Sequence, residues 1–320
     1  MSTMILTAKD VCALINMKDV LHVVEEAFIF WAKGKGAMPA KAYLLVENGD
    51  FRAMPASLYG CAGMKWVNAH PKNSSHGLPS VMAVIIYNDP LTGYPLAIMD
   101  GTAITAFRTG AAAAIASKYL ARKNSQSLGI IGAGRQAFTQ ILAHSEVFKF
   151  KVINVFDISR SAIDKLIYLL PDYPINSCPV EEVVKSDIVC TLTPAREPFI
   201  RANWIKPGTH VNAIGADAAG KQEFDPSILA DAIVVVDDIR QAIASGEINV
   251  PIAQRLFKVD QVYATLAEIV FGIKKGRENN SDITLFDSTG IAIEDIAVAK
   301  LIYEKAQLSG GHTSVELVDA

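Results

Sequence analysis

The chain has 320 residues, of which 51% are hydrophobic and 20% charged, and its formal net charge is −3. This length and composition allow a sizeable core and favour two domains, while the small charge, without basic runs interleaved with aromatics, argues against a nucleic-acid partner. The sequence lacks any apolar stretch approaching the roughly 18 residues of a membrane span, and residues 1–10 lack the pattern of a secretory signal. These features predict a soluble cytoplasmic protein without a membrane partner.

The cysteines and histidines do not show the spacing of a metal site or of a disulfide framework. The cysteines lie far apart, at Cys12, Cys61, Cys178 and Cys190. His70 and His76 are the nearest pair of histidines, and they fall in a polar segment bounded by prolines. We therefore expect reduced, buried cysteines and no bound metal.

The N-terminal segment has a helical pattern. Thr7-Ala8-Lys9-Asp10 resembles a capping box, and apolar residues recur at helical spacing from Val20 to Trp31. These features predict a helical N-terminus.

Strand patterns replace the helical pattern from Ala42 onwards. Ala42–Glu47 and Phe51–Ala56 flank the turn Asn48-Gly49-Asp50, which predicts a hairpin. Further strands are predicted at Met64–Asn68, Ser80–Tyr87 and Tyr94–Asp100. The alanine-rich segment Thr105–Arg122 then reads as a long helix that packs closely on a neighbour. The first third should form a mostly antiparallel sheet flanked by helices.

A short apolar segment followed by a glycine-rich turn occupies the centre of the chain. Leu128–Ile131 has the length and composition of a buried parallel strand, and Gly132-x-Gly134-x-x-Ala137 follows at once. The first glycine would form the tight turn, the second would let a pyrophosphate approach the backbone, and the alanine would let the next helix pack closely. That helix, Gln136–His144, would direct free N–H groups and its positive end at the phosphates. The pattern predicts a dinucleotide site, with an ordinary strand-turn-helix as the alternative.

An acidic residue follows the second strand of this region. The strand Lys151–Phe156 ends at Asp157, near the spacing of roughly 20 residues expected for an acid that binds ribose hydroxyls. This favours NAD over NADP, because a carboxylate would repel a 2′-phosphate. Arg160 is the residue type that a phosphate-accepting enzyme would use nearby, so strict NAD preference stays open.

Strand and helix patterns alternate beyond this acid, over residues 161–170, 187–193, 210–215 and 232–237, which is typical of a doubly wound parallel sheet. The predicted fold class is α/β, with a Rossmann-type doubly wound parallel sheet plus an α+β domain that has a mostly antiparallel sheet. Residues 123–289 should bind NAD, and residues 1–122 with 290–320 should bind substrate and form a dimer. An amphipathic helix ending near Gln307 should fold back on the N-terminal domain.

Five motifs together resemble the ornithine cyclodeaminase/μ-crystallin family. They are, in chain order, Lys65-Trp66-Val67-Asn68-Ala69-His70-Pro71, Arg108-Thr109-Gly110-Ala111, Gly132-Ala133-Gly134-Arg135-Gln136, Gly215-Ala216-Asp217-Ala218-Ala219-Gly220-Lys221 and Phe286-Asp287-Ser288-Thr289-Gly290. The resemblance covers nearly the whole chain, and it is closest to the archaeal-type alanine dehydrogenases, whose pattern Arg52 follows. Ala219 departs from the family, which often has proline before the glycine-lysine pair.

The resemblance implies a substrate site made by Arg52, Lys65 and Thr289. Arg52 would hold a carboxylate with its guanidinium fork, and a partly buried Lys65 could serve as a base near neutral pH. Asp217 follows the apolar strand Val211–Ile214 and would be the general acid or base for the water that attacks an imine. By residue type alone, Lys65 would more often be solvated, and Asp217 and Thr289 could be ordinary turn residues.

The resemblance assigns the other matched positions to the cofactor. Arg108 and Thr109 resemble residues that contact its phosphates, although Arg108 alone would read as a helix-surface arginine. The remaining positions expected to line NAD are Ser80, Gly132, Gly134, Arg135, Gln136, Asp157, Thr193, Val211, Ala213, Lys221 and Ser288. Ser288 could equally be a turn residue.

The activity that the resemblance implies is that of an NAD-dependent oxidoreductase of amino acid metabolism. It would deaminate a small L-amino acid oxidatively and reversibly, foremost L-alanine to pyruvate and ammonia, with Lys65 and Asp217 meeting over the nicotinamide. The alternatives are an ornithine cyclodeaminase, which converts L-ornithine to L-proline and ammonia, and a non-catalytic μ-crystallin-like nicotinamide-binding protein, against which Asp217 argues. A reductive role, making cyclic or N-substituted amino acids from imines, is a further alternative.

A homodimer is also implied by the resemblance, through the antiparallel sheet of the N-terminal domain. Apolar strand residues such as Val81, Val84 and Ile86 give this expectation weak support.

Overall fold

The computed structural model describes residues 2–318, which divide into two compact units. The first unit extends up to Arg108 and resumes at Ile291, and the second is Thr109–Gly290. The first boundary between the units, after Arg108, lies within a helix and comes earlier than the boundary after residue 122 that the sequence suggested. The rest of that helix packs within the second unit, where the Ser117 hydroxyl lies 2.9 Å from Nε2 of His144.

The strands are, in chain order, β1 (Thr3–Leu6), β2 (Gly36–Ala37), β3 (Ala42–Val46), β4 (Gly49–Leu58), β5 (Cys61–Ala69), β6 (Val81–Asn88), β7 (Pro95–Asp100), β8 (Ser127–Ile131), β9 (Val152–Phe156), β10 (Ile175–Ser177), β11 (Ile188–Thr191), β12 (His210–Ala213), β13 (Ala232–Val236), β14 (Ala264–Thr265), β15 (Ile283–Asp287) and β16 (Thr313–Val315).

The α-helices are α1 (Ala8–Leu14), α2 (Met17–Ala32), α3 (Gly101–Leu120), α4 (Arg135–Val147), α5 (Arg160–Leu169), α6 (Val180–Val183), α7 (Ile228–Asp231), α8 (Ile239–Ser245), α9 (Asn249–Ala253), α10 (Leu266–Phe271) and α11 (Ala292–Ser309). Short 3-10 helices lie at Pro71–His76, Ala202–Trp204 and Val259–Gln261. No helix within residues 2–318 combines the length and apolar character needed to cross a bilayer.

The first unit is built on a mixed, mostly antiparallel sheet in the order β16-β1-β7-β6-β5-β4-β2, with β3 also paired to β4. β1 and β7 are parallel, and the other pairs are antiparallel. The predicted helical N-terminus is confirmed by α1 and α2, and the short strand β1, which was not predicted, precedes them. Thr7 and Asp10 form the predicted capping box, since Asp10 N–H donates to the Thr7 hydroxyl and Thr7 N–H to the Asp10 carboxylate.

The pairing of β4 with β5 places two predicted site residues on one face of this sheet. Met54 lies opposite Lys65, and Arg52 lies opposite Val67. Because alternate residues of a strand share a face, Arg52 and Lys65 are diagonal neighbours on the same face. Both side chains are buried.

The C-terminal helix α11 packs against α2, β4 and β5 of the first unit. The sequence predicted an amphipathic helix, and this was wrong for its first half, because every residue of 292–299 is buried. The buried stretch includes the carboxylates of Glu294 and Asp295, both 0% exposed. Buried carboxylates need partners, so this helix end belongs to a polar site.

The second unit contains a parallel sheet in the order β10-β9-β8-β11-β12-β15-β13-β14, which confirms the predicted Rossmann-type fold class. The central strand β8 is apolar because both of its faces are covered: Leu128, Ile130 and Ile131 are fully buried. The strand order reverses between β8 and β11. Ligands of such sheets bind outside the carboxyl ends of the strands at this switch point.

Candidate active site

The glycine-rich turn lies at the carboxyl end of β8. Gly132 has φ of +101°, a conformation that residues with a side chain rarely adopt, so the glycine makes the sharp exit from the strand possible. Gly134 precedes α4, and a β-carbon added there would have no protein atom within 4 Å among the described residues. Arg135 is exposed and Gln136 half-buried at the first turn of the helix. The helix N-terminus is therefore accessible to an anion.

Asp157 follows β9 and fixes the middle of this turn. One carboxylate oxygen accepts the N–H of Ala133 at 2.7 Å, and the other accepts the N–H of Ser159 at 2.7 Å. A carboxylate has about four acceptor sites, so these bonds leave capacity for hydroxyl donors of a ribose. Arg160 points elsewhere, because its guanidinium pairs with Asp164 on α5 at 3.0 Å and is 70% exposed.

A buried carboxylate organises the segments after β11 and β12. Glu223 accepts the hydroxyl protons of Thr191 and Thr193, both at 2.6 Å, and the N–H of Thr193 at 2.8 Å. It also accepts the N–H of Gly215 at 3.1 Å. Burial raises the pKa of Glu223, while these donors lower it. Thr193 is thus held by a residue that the sequence analysis did not single out.

Asp217 and Lys221 form an ion pair within one loop after β12. Nζ of Lys221 lies 2.5 Å from Oδ1 of Asp217. The loop is also tied at its far end, because Gly220 N–H donates to the Asn249 side chain, which in turn donates to the carbonyl of Lys221. The predicted acid–base residue and one predicted cofactor residue are therefore electrostatically linked.

The segment after β15 carries Ser288 and Thr289. Ser288 is 2% exposed, and its hydroxyl has no hydrogen-bond partner among the described residues. A buried hydroxyl without a partner is energetically costly, and a polar ligand atom would satisfy it. Thr289 differs, since its N–H and hydroxyl donate to Asp237, so its hydroxyl can offer a substrate only an acceptor.

Three other predicted cofactor residues of the second unit are buried. Val211 and Ala213 belong to its hydrophobic core on β12 and are fully covered. Thr109 is 6% exposed, and its carbonyl accepts the side-chain amide of Gln140 at 3.5 Å.

The first unit contains a buried cluster of two cations and two carboxylates. Nζ of Lys65 lies 2.8 and 2.7 Å from the two carboxylate oxygens of Asp295. Arg108 donates from Nε to Asp295 at 3.0 Å and from Nη1 to Glu294 at 2.9 Å. We name these residues the buried quartet. The two positive and two negative charges of the quartet balance. Arg108 is buried, so it is not the helix-surface arginine that its residue type alone would suggest.

The pKa of Lys65 is lowered to about 7, first by burial and then by Arg108, while Asp295 opposes both. A group with this pKa exchanges its proton readily near neutral pH. The site can therefore supply a base.

Arg52 lies on the same sheet face, and Asp50 engages its guanidinium through bonds of 2.6 and 3.2 Å. The Tyr43 ring centroid is 5.3 Å from Arg52 Cζ. Ser80 is exposed just before β6, and its carbonyl accepts the N–H of His70. Ser80 therefore lies outside the buried quartet.

Four acidic residues that hold predicted site residues in place were not predicted from the sequence: Glu223, Asp237, Glu294 and Asp295. The last two carried a signal, since they interrupt the apolar run Ile291–Ala299 where a buried face demands apolar residues. Glu223 and Asp237 carried none, because their bonds run to backbone and hydroxyl groups in other segments of the chain.

The parallel sheet and the glycine-rich turn define a protein of the Rossmann dinucleotide-binding class. The buried lysine belongs to a polar site within the first unit. The chain belongs to the ornithine cyclodeaminase/mu-crystallin family, whose sequence model matches residues 1–310. The family predicted from the five motifs is thereby confirmed.

Individual relatives cover the whole length of the chain. An alanine dehydrogenase of Archaeoglobus fulgidus is 50% identical over 308 residues, which is 96% of each chain. A solved archaeal alanine dehydrogenase dimer with bound NAD is 48% identical, with a TM-score of 0.97 over 99% of this chain and 100% of that one. The Δ1-pyrroline-2-carboxylate reductase of Thermococcus litoralis, solved with NADH and L-proline, is 42% identical, with a TM-score of 0.94 over 98% and 100%.

Proposed function

We propose that this chain is an NAD-dependent dehydrogenase that deaminates a small L-amino acid, foremost L-alanine, to its 2-oxo acid and ammonia. The single observation that carries the choice of reaction is the 50% identity to an alanine dehydrogenase over nearly the entire length of both chains. A solved alanine dehydrogenase that is 48% identical holds NAD. The reaction consumes alanine, NAD⁺ and water and releases pyruvate, ammonium, NADH and a proton.

The second unit fits a dinucleotide. The space in front of Gly134, the uncapped start of α4 and the unpartnered Ser288 hydroxyl are the features that a pyrophosphate and a polar cofactor atom would fill. Asp157 would accept ribose hydroxyls while it holds the turn. When bound, the cofactor accepts a hydride from the substrate Cα.

Lys65 would remove a proton from the substrate ammonium group, because only a neutral amine can release hydride from Cα, which leaves a protonated imine. Its pKa of about 7 makes the neutral form available near neutral pH. Arg52 would bind the substrate carboxylate, in competition with Asp50. These roles keep the carboxylate fixed while the amine is deprotonated.

Asp217 would take a proton from the water that adds to the imine carbon, and would return it to the departing ammonia. The ammonium group of Lys221 lies 2.5 Å from one oxygen of this carboxylate. Loss of ammonia from the tetrahedral adduct leaves the 2-oxo acid.

The proposal is tested by incubating the purified protein with NAD⁺ and a panel of L-amino acids. L-alanine should give NADH and pyruvate in equal amounts. L-ornithine converted to proline and ammonia without accumulating NADH would instead identify a cyclodeaminase. Binding of NADH without turnover of any amino acid would identify a non-catalytic nicotinamide-binding protein.

A second candidate function is the reduction of a cyclic imino acid. It is favoured by the TM-score of 0.94 and 42% identity to a Δ1-pyrroline-2-carboxylate reductase solved with NADH and L-proline. Hydride transfer is reversible, so the same residues could deliver hydride to a C=N bond. Faster NADH oxidation with Δ1-pyrroline-2-carboxylate than with pyruvate and ammonia would favour this function.

We also propose a homodimer, in the cytoplasm, formed through the outer face of the first unit's sheet. Trp66 and Val84 are register partners on that face and are 38% and 46% exposed. Phe51 stacks on Trp66 with ring centroids 5.5 Å apart. Exposed apolar clusters of this kind mark interaction surfaces. Sedimentation should give a dimer that Val84→Glu dissociates; a monomeric wild-type protein would contradict the proposal.

A further inference from the structure

We propose that Asp295 is a positioning residue for the reaction, fixing the amine of Lys65 through its carboxylate. The proposal rests on the proposed function of Lys65 as the base. Asp295 contacts Lys65 and Arg108 and acts on the substrate through Lys65.

The geometry of the buried quartet supports this role. Nζ of Lys65 lies within 2.8 Å of both oxygens of Asp295, and the two residues are 1% and 0% exposed. Asp295 lies in the first turns of α11, a helix of 18 residues whose start is covered by protein. A lysine side chain has four rotatable bonds, so a buried carboxylate partner on a rigid helix removes most of its freedom.

Arg108 lets Lys65 lose its proton without leaving Asp295 unpaired. Oδ1 of Asp295 accepts from Arg108 Nε at 3.0 Å as well as from Lys65. When Lys65 is neutral, its remaining N–H groups still donate to Asp295, and Arg108 still balances the carboxylate charge. The lone pair of the neutral amine then points away from Asp295, as a base requires.

Glu294 completes the charge balance of the buried quartet through Arg108. It accepts from Arg108 Nη1 at 2.9 Å and, like Asp295, is 0% exposed. The two neighbouring carboxylates therefore have different roles. Glu294 neutralises Arg108, and Asp295 is shared between Arg108 and Lys65. This difference supplies a matched control on the same helix.

The charges around Lys65 determine the direction of the pH effect. Asp295 on α11 raises the pKa of Lys65, whereas Arg108 on α3 and Lys41 before β3 lower it. Arg52 on β4 shares the sheet face, and the strand partners Met54 and Ile85 are apolar. Removal of the Asp295 charge should therefore extend activity to lower pH, because neutral Lys65 would persist there.

The test compares Asp295→Asn with Glu294→Gln by measuring kcat/KM for L-alanine from pH 5.5 to 10. In Asp295→Asn, the acidic limb should move from near pH 7 to lower pH by about one unit or more, and kcat at the optimum should fall about 10- to 100-fold. In Glu294→Gln the acidic limb should move less than in Asp295→Asn, because Glu294 bonds Arg108 whereas Asp295 bonds Lys65 directly. An unmoved limb in Asp295→Asn, or an equal displacement in both variants, would overturn the proposal.

Asp295→Glu covers the case in which Asp295→Asn does not fold. It keeps the charge and displaces the carboxylate by one methylene, so the limb should stay near pH 7 while kcat falls about tenfold or more. An unchanged kcat would overturn the positioning role.

A titration of the lysine ¹³Cε signals, with Lys65 assigned through Lys65→Met, separates this proposal from the proposed function. It needs no turnover. If the wild-type protein oxidises no amino acid, the proposed function fails, while a lower Lys65 pKa in Asp295→Asn still supports the contact and an unchanged pKa overturns it.

Discussion

The carboxylate of Asp157 accepts the backbone N–H of Ala133 at 2.7 Å, so the end of β9 holds the centre of the glycine-rich turn that leaves β8. The same carboxylate is the one proposed to bind a ribose. On that proposal, cofactor selection and turn geometry depend on one side chain.

Replacement of Asp157 by Ser should raise the KM for NAD about tenfold and narrow the preference for NAD over NADP, because both a ribose acceptor and a like charge are removed. Initial rates with each cofactor measure the effect. Asp164→Asn is the control, since that acid pairs with Arg160 on the surface of α5. An unchanged KM for NAD in Asp157→Ser would contradict the assignment.

The glycine-rich unit could be predicted from sequence because its determinants are local. A strand, the turn and Asp157 follow one another within about 30 residues, and each has a pattern of its own. β1 could not be predicted in this way, since it has four residues and its partners β7 and β16 lie far along the chain.

The buried quartet shows the limit of sequence patterns more sharply. The alternation along β5 puts Lys65 on the same face as Val67, but a lysine gives no sign of which face is covered. Its partner Asp295 is 230 residues away. Only the family motif pointed to Lys65, and the apolar run around Asp295 marked a buried acid without indicating its partner.

Asp217→Asn should lower kcat for L-alanine oxidation by about 10²- to 10⁴-fold, because the amide cannot take a proton from water. The KM for NAD should change less than kcat, although Lys221 loses its charged partner. Asp225→Asn, in the same segment but hydrogen-bonded to Ser227, is the control. Undiminished turnover in Asp217→Asn would show that this residue is not the acid–base group.

Glu223→Gln should lower the free energy of unfolding by about 2–4 kcal/mol, because an amide cannot accept all of the bonds from Thr191, Thr193 and Gly215. The KM for NAD should rise at the same time, since the Thr193 segment loses its anchor. Denaturant unfolding and initial rates provide the two measurements. Stability and KM both equal to wild type would refute the anchoring role.

The stability of the second unit should fall in mild acid. Burial lowers the pKa of His144 to about 4 and, with Arg277, that of His210 to about 3. Both are hydrogen-bonded in the core, to Ser117 and Thr284. The unfolded chain binds protons near pH 6.5 and the folded chain does not, so stability is complete above pH 6.5 and declines as pH falls towards 4.

His144→Gln isolates this contribution. The free energy of unfolding of the wild type should decrease between pH 7 and 4 more than that of the variant, by on the order of 3 kcal/mol. Parallel pH dependences in the two proteins would mean that His144 does not titrate in this way.

Hydride transfer from the Cα of L-alanine to NAD⁺ is the reaction proposed for this protein. The most direct measurement uses L-alanine deuterated at C2 and determines the mass of the NADH formed. The NADH should be one mass unit heavier than that from ordinary L-alanine, with pyruvate formed in equal amount. Formation of no NADH, or of NADH without deuterium, would contradict the proposed reaction.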